Sequence, residues 1–226
     1  MSPKIRVAIL DDHQSIVDGY IYRLSQSADV EVVGTAGFGE HLEHLLSKTR
    51  VDVLILDIEV PTSPGNSNPY PILYEIPIII EKYPDLYVLV ISVHDQASLI
   101  RNIMEMGASG YILKNDYASI KELAKVVTAV AQGNIHFSKQ AYQQFVKKVC
   151  EDGTLTPRQL QVLSLCAAFP DATTGELARQ LGIANSTIRN LLSEAYVRLE
   201  VRNRAAAVAK ARQTGLITPL TNNSPL

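Results

Sequence analysis

A hydrophobic run at residues 51–57, VDVLILD, ends on the carboxylate of Asp57. A continuous run of Val, Ile and Leu bounded by polar residues is typical of a strand that is covered on both faces of a parallel sheet. In sheets of this kind the ligand site lies beyond the carboxyl ends of the strands. The run therefore predicts a buried strand that presents Asp57 at one edge of the sheet.

Four other strand-like segments lie in the first 133 residues, and helical patterns separate them. This alternation predicts an α/β doubly wound parallel sheet of five strands. Residues 61–71 interrupt the pattern, because their Pro, Gly and Asn content favours a loop. Pro77 is expected to kink the next helix or to lie in its first turn. The four additional strands are predicted at 4–10, 30–35, 86–92 and 110–113.

Only helical patterns occur from residue 154 onward. Two short helices joined by a tight turn that contains Gly182, the second helix with a polar outer face at 185–199, predict a small all-α helix-turn-helix domain. The signals that start the helices are capping boxes at Thr156 and Thr173 and a cap at Asn203. The predicted division is 1–133 for the α/β domain, 134–153 for a linker with a helix, 154–218 for the helix-turn-helix domain and 219–226 for a flexible tail.

The distribution of charge supports two domains with different partners. Residues 1–153 carry 13 Lys and Arg against 19 Asp and Glu, whereas residues 154–226 carry 8 against 4. A basic helical domain after an acidic α/β domain favours nucleic acid as the partner of the second domain.

The composition indicates a soluble protein without a structural metal or a disulfide framework. No apolar run approaches the length of a membrane span, and the first residues lead directly into a strand pattern rather than a signal peptide. We therefore expect a cytoplasmic location. Cys150 and Cys166, like His13, His94 and His136, lack the spacing of metal ligands.

Polar side chains follow several of the predicted strands. Asp11 and Asp12 end the first strand, Asp57 the third, Ser92 the fourth and Lys114 the fifth. Carboxylates brought together are costly unless a cation neutralises them, and oxygen ligands with an open coordination sphere suit magnesium. A carboxylate beside magnesium and a lysine can accept a phosphoryl group as an aspartyl phosphate.

Several motifs in order resemble the receiver domain and the LuxR-type effector domain of two-component response regulators of the NarL/FixJ subfamily. In the first half they are Asp11-Asp12-His13, Leu56-Asp57, the segment 90–95 and the segment 107–114, GASGYILK. In the second half they are Leu155-Thr156-Pro157-Arg158, Glu176-Leu177-Ala178, Ser186-Thr187-Ile188-Arg189 and the segment 199–204. Together they cover nearly the whole chain.

The resemblance implies a flavodoxin-like receiver with strand order 2-1-3-4-5, controlled by a sensor histidine kinase, and an active form that is a homodimer on DNA. It also implies that the unphosphorylated receiver covers the recognition helix, and that the protein is a regulator and not an enzyme. The implied receiver residues are Asp57 as phosphoacceptor, Asp11, Asp12 and Asp57 as magnesium ligands, Ser92 and Lys114 as phosphate contacts, and Tyr111 as an aromatic switch. The implied DNA contacts are Arg189, Asn190 and Ser193 in the major groove, with Thr187, Arg202 and Arg204 on phosphates.

Departures from the family pattern leave alternatives open. Glu59 adds a negative charge two residues after Asp57, and a long segment follows Pro61. Ala184 and Leu191 replace the usual Ser and His around the recognition helix. One alternative is a receiver regulator that a ligand or protein partner controls without phosphorylation. Another is a protein-interaction switch that no longer reads DNA, and a phosphatase with an aspartate nucleophile is disfavoured because no lid domain follows.

Overall fold

The computed structural model describes residues 3–146 and 155–220, and the structural statements below refer to these ranges. The strands are β1 (Ile5–Leu10), β2 (Val30–Ala36), β3 (Val53–Leu56), β4 (Pro61–Ser63), β5 (Asn66–Pro69), β6 (Tyr87–Ser92), β7 (Gly110–Leu113) and β8 (His136–Phe137). The helices before residue 146 are α1 (Gln14–Ser25), α2 (Leu42–Lys48), α3 (Ile72–Lys82), α4 (Ala97–Glu105), α5 (Tyr117–Lys121), α6 (Leu123–Ala131) and α7 (Lys139–Phe145), with a 3-10 turn at Gly39–His41 before α2. The helices after residue 155 are α8 (Pro157–Ala168), α9 (Thr174–Gln180), α10 (Asn185–Arg198) and α11 (Arg204–Gln213).

The main sheet is parallel throughout and confirms the predicted doubly wound fold. Its order is β2-β1-β3-β6-β7-β8, which is the expected 2-1-3-4-5 order with one strand added at the edge. All four residues of β3 are buried, and they alternate between two hydrophobic clusters. Helices α1 and α6 contribute to one cluster, whereas α2, α3 and α4 contribute to the other. A strand covered on both faces explains why 51–57 reads as a continuous hydrophobic run.

Three expectations for the first half need correction. The sheet has a sixth strand, β8, because the linker pairs with β7 before it forms α7. Residues 61–71 do not form an irregular loop: β4 and β5 pair as an antiparallel hairpin. The helical spacing of Ile120, Leu123, Val127 and Val130 predicts one long helix after β7, but the structure divides it at Glu122, whose φ of −99° and ψ of 22° separate α5 from α6. Pro77 lies within α3, as the kinked-helix alternative requires.

Residues 155–220 form a unit with four described helices, which confirms the predicted helix-turn-helix. Thr156 and Thr173 form complete capping boxes with Gln159 and Glu176, and the side chain of Asn203 accepts from the amide of Ala206. Gly182 has a φ of 62°, the left-handed conformation that the tight turn between α9 and α10 requires. Apolar residues on one stripe of α10 are buried, namely Ile188, Leu192, Ala195 and Leu199.

The two halves share a continuous hydrophobic core. Buried residues of α3 and α4 belong to the same apolar cluster as buried residues of α8, α9, α10 and α11. Helix α3 packs against α8, and β5 also contacts α8. In the part of the chain that the structure describes, no helix has both the length and the apolar character that crossing a membrane requires. The end of the predicted linker helix and the predicted tail beyond residue 220 lie outside the described residues.

Candidate functional site

The carboxyl ends of β1, β3 and β7 bring two acids and a lysine into contact. The amide of Asp57 donates to the carbonyl of Leu10 at 2.8 Å, which sets Asp57 beside Asp11. The Lys114 Nζ lies 2.9 Å from Asp11 Oδ2 and 2.8 Å from Asp57 Oδ2. Asp11 and Asp57 are buried, with exposures of 4% and 3%. The side chain of Lys114 therefore bridges two buried carboxylates, as the convergence of strand ends predicts.

Burial and charge act in opposite directions on this cluster. Burial raises the pKa of the Asp57 carboxyl, and Lys114 opposes that shift only in part, while Asp11 adds to it. Burial lowers the pKa of the Lys114 ammonium, but the two carboxylates outweigh burial and the net shift is upward. The site therefore favours the charged form of Lys114 and disfavours the charged form of Asp57. The single ammonium group of Lys114 does not fully offset the two buried carboxylates.

The donor set fits a hard divalent cation. One ligand atom from each of Asp11, Asp12, His13 and Asp57 lies within 4.8 Å of the others. Three of these donors are carboxylates, which magnesium prefers, and Asp12 is exposed, so that the site is open to solvent on one side. His13 joins the group although its spacing gave no ligand signal; its Nδ1 lies 3.0 Å from Asp12 Oδ1.

Ser92 and Tyr111 lie on the strands next to the acidic cluster and are connected through His94. The Ser92 Oγ accepts from the amide of His94 at 3.2 Å, and the Tyr111 hydroxyl donates to the carbonyl of His94 at 2.8 Å. The Tyr111 side chain is fully buried, and burial raises its pKa. His94 also lies 3.2 Å from Glu59 through its Nε2 atom. No pattern in the sequence indicated this role of His94, because Glu59 and Tyr111 lie far from it along the chain.

The outer face of α10 is exposed. The polar residues predicted to read DNA, Thr187, Arg189, Asn190 and Ser193, are all exposed, whereas the stripe beneath them is buried. The expectation that the receiver covers the recognition helix is wrong for this arrangement, because the first half of the chain packs against α8 and the ends of α9 and α11.

The two arginines predicted on DNA phosphates differ in their surroundings. Arg202 is exposed, but Arg204 is half-buried and donates to the carbonyl of Ala172. A further residue that sequence reasoning did not single out is Gln159, which is buried. Its Nε2 donates to Glu194 at 3.0 Å, and its Oε1 accepts from Arg198 at 3.1 Å. Gln159 therefore links α8 to two successive turns of α10 and fixes the rotation of that helix.

Comparison with known proteins agrees with this architecture. Residues 7–128 match the family of response regulator receiver domains, and residues 153–211 match the bacterial regulatory proteins of the luxR family. The transcriptional regulatory protein DegU of Brevibacillus brevis is 29% identical over 237 residues, with 95% of each chain covered. The transcriptional regulatory protein MctR of Rhizobium johnstonii is 28% identical over 218 residues, covering 96% of this chain and 97% of MctR.

A solved structure supports the same fold. RcsB from Salmonella enterica serovar Typhimurium, bound to promoter rprA in the presence of phosphomimetic BeF3-, aligns with a TM-score of 0.65 and 24% identity, covering 92% of this chain and 98% of RcsB. The receiver match alone spans more than half of the chain. The protein belongs to the response regulators, and consists of a receiver domain followed by a LuxR-type helix-turn-helix DNA-binding domain.

Proposed function

We propose that this response regulator accepts a phosphoryl group on Asp57 and that phosphorylation controls its binding to DNA. The contact that carries the proposal is Lys114, which reaches Asp57 Oδ2 at 2.8 Å from the end of a different strand. A regulator controlled only by a ligand or a partner does not need a lysine held against a buried carboxylate.

In the proposed transfer, a carboxylate oxygen of Asp57 forms a bond to phosphorus while the bond from phosphorus to the donor breaks and the donor leaves with that electron pair. Magnesium held by Asp11, Asp12 and Asp57 would supply positive charge to the phosphoryl oxygens. The ammonium of Lys114 balances further charge on the same oxygens. Ser92 stands at the end of β6 and is suited to donate its hydroxyl hydrogen to a phosphoryl oxygen, with Tyr111 next to it as the switch.

The donor chemistry points to a phosphohistidine of a sensor kinase or a small acyl phosphate, since both have good leaving groups for attack by a carboxylate. A cytoplasmic location agrees with such a donor and with DNA as the target. We expect homodimers in the active form, because an effector unit with a net charge of +4 over residues 154–226 binds DNA weakly alone and more tightly as a pair.

Intact mass after incubation with acetyl phosphate and magnesium tests the transfer. The parent chain should gain the mass of one phosphoryl group, and Asp57→Asn should gain none. Asp85→Asn is the matched control, because Asp85 is an exposed carboxylate, and it should be labelled like the parent. Labelling of Asp57→Asn to the same extent as the parent would show that another residue is the acceptor.

The DNA contact is tested with Arg189→Ala, because the side chain of Arg189 is exposed on the outer face of α10. A bidentate Arg–guanine pair discriminates by about 1–3 kcal/mol, so binding to a cognate site should weaken at least about fivefold. Binding to random DNA should change much less. Arg158→Ala, an exposed arginine on α8, is the control. An equal loss on cognate and random DNA would show that Arg189 contacts only phosphate.

A further inference from the structure

Hydrogen bonds and a packing contact fix the β4–β5 hairpin to the rest of the receiver. The amide of Tyr70 donates to the carbonyl of Val60 at 2.9 Å, and the buried Thr62 donates through its hydroxyl to the carbonyl of Asn68 at 2.8 Å. The Tyr70 ring lies over Gly39, where an added Cβ would come within 2.0 Å of a ring carbon. The hairpin is therefore a packed element that begins four residues after Asp57.

The hairpin also makes a hydrogen bond to the effector domain. The Asn66 Nδ2 donates at 2.9 Å to the carbonyl of Ala168, the last residue of α8. The Oδ1 of the same side chain accepts from the amide and from the side chain of Asn68, so the orientation of Asn66 is fixed within the hairpin.

Two receiver helices make contacts of the same kind. The Tyr74 hydroxyl on α3 donates at 2.8 Å to the carbonyl of Gln180, the last residue of α9. On α4, Ser98 donates to the carbonyl of Thr214 at 2.9 Å and Asn102 to that of Leu216 at 3.0 Å, just beyond α11. We call Asn66, Tyr74, Ser98 and Asn102 the docking donors.

Three of the docking donors, Asn66, Tyr74 and Ser98, bind carbonyl groups at helix ends, whereas Asn102 binds a carbonyl in the segment that follows α11. The last carbonyls of an α-helix lack intrahelical donors and need caps or water. Within residues 155–220, the receiver supplies such donors at the ends of α8 and α9 and at Thr214, the C-cap residue of α11. Helix α10 ends in its own domain, where the amides of Leu199 and Glu200 complete its last turn.

We propose that the β4–β5 hairpin, with α3 and α4, is an intramolecular docking surface for the effector domain, which it holds by its helix ends while the DNA-reading face of α10 points outward. The inference rests on the proposed function for the role of α10. It follows that the docked chain can reach DNA, and that docking controls the position of the effector rather than its access to DNA.

Two variants remove docking donors with little effect elsewhere. Asn66→Asp keeps the oxygen that accepts within the hairpin but sets a carboxylate against the carbonyl of Ala168, and Tyr74→Phe removes only the hydroxyl. Their matched controls are Ser67→Asp, which adds the same charge at the neighbouring exposed residue, and Tyr117→Phe on an exposed ring.

The test combines amide hydrogen exchange and DNA binding on full-length chain without a phosphodonor. Loss of one neutral hydrogen bond should speed exchange at the ends of α8 and α9 by roughly 2- to 12-fold, and Asn66→Asp should have the larger effect. Binding to a random-sequence duplex should stay within about twofold of the parent. If the docked receiver instead covered α10, each variant would raise the affinity for DNA by the same factor by which it speeds amide exchange.

Each result decides a separate point. Unchanged exchange in both variants would overturn the docking surface, and a rise in DNA affinity that parallels exchange would overturn the outward orientation of α10. If no form of the chain binds DNA, the proposed function fails, while the exchange measurement still decides whether the docking donors hold the effector.

Discussion

Replacing Asp57 by Asn should stabilise the receiver when no magnesium is present. The Lys114 Nζ lies 2.8 Å from Asp57 Oδ2 and 2.9 Å from Asp11 Oδ2. One carboxylate oxygen of Asp57 also lies within 4.8 Å of one oxygen each of Asp11 and Asp12. At an effective dielectric constant of about 20, the attraction to Lys114 is about 6 kcal/mol, and each like-charge repulsion is about 3.5 kcal/mol or more. Attraction and repulsion nearly cancel, so burial decides the sign.

Burial of a carboxylate costs several kcal/mol, and burial of a neutral amide costs less. Burial is also the largest cause of the raised pKa of Asp57. We therefore expect Asp57→Asn to increase the free energy of unfolding by about 1–2 kcal/mol at pH 7. The control Asp85→Asn, on an exposed carboxylate, should stay within about 0.5 kcal/mol of the parent.

The assay is urea unfolding of the full-length chain, followed by circular dichroism in EDTA and then in magnesium. A group whose pKa is raised by folding loses its stabilising contribution as pH rises through the folded value. The advantage of Asp57→Asn should thus shrink as pH falls from the raised folded pKa of Asp57 and should be lost below about 4, where Asp57 is protonated in both states. Magnesium at ten times its dissociation constant should stabilise the parent by about 1.4 kcal/mol and the variant by less. A variant that is less stable than the parent in EDTA would show that burial of the Asp57 charge does not decide the sign.

Three other predictions concern the metal and the effector. Asp12→Asn should reduce the stabilisation by magnesium and should not lower stability in EDTA, because it removes one of the like-charge repulsions on Asp57; equal response to magnesium in the same urea titration would argue against it as a ligand. Thr156→Ala should lower the stability of the effector by about 1 kcal/mol in thermal unfolding, because it removes the capping box of α8, and an unchanged transition would contradict that role. Gln159→Met should cost about 0.5–1.5 kcal/mol and speed amide exchange along α10, because it removes the side-chain hydrogen bonds from α8 to Glu194 and Arg198; exchange like the parent's would show that other contacts position α10.

The acidic site could be predicted from the sequence, because parallel topology alone brings the ends of β1, β3 and β7 to one edge. The contact of Lys114 with Asp11 and Asp57 follows from that convergence. The buried and exposed faces of α10 were equally accessible to prediction, since a period of 3.6 residues determines both. In these places local pattern and tertiary structure agree.

The elements that differ from the predictions lie in segments whose local sequence pattern carries little information. β8 has two residues and shows no periodicity, and β4 and β5 contain Pro, Ser and Asn without a hydrophobic alternation. Their pairing depends on contacts from elsewhere, such as the Tyr70 ring over Gly39. The hydrophobic pattern continues through Glu122, so the break between α5 and α6 left no signal. The contact between His94 and Glu59 joins loops after different strands and has no sequence spacing to reveal it.

The position of the hairpin limits how strongly Asp57 can act on the effector. The chain passes from Asp57 through Val60 into β4, and the hairpin holds the effector through a single docking donor, Asn66. A signal can shift an equilibrium only by the difference in its interaction with the two states. Loss of one neutral hydrogen bond is worth about 0.5–1.5 kcal/mol, so release of Asn66 alone raises the undocked fraction by roughly 2- to 12-fold. Phosphorylation transmitted through the hairpin should therefore give a graded change in docking, and a complete release requires that the donors on α3 and α4 open as well.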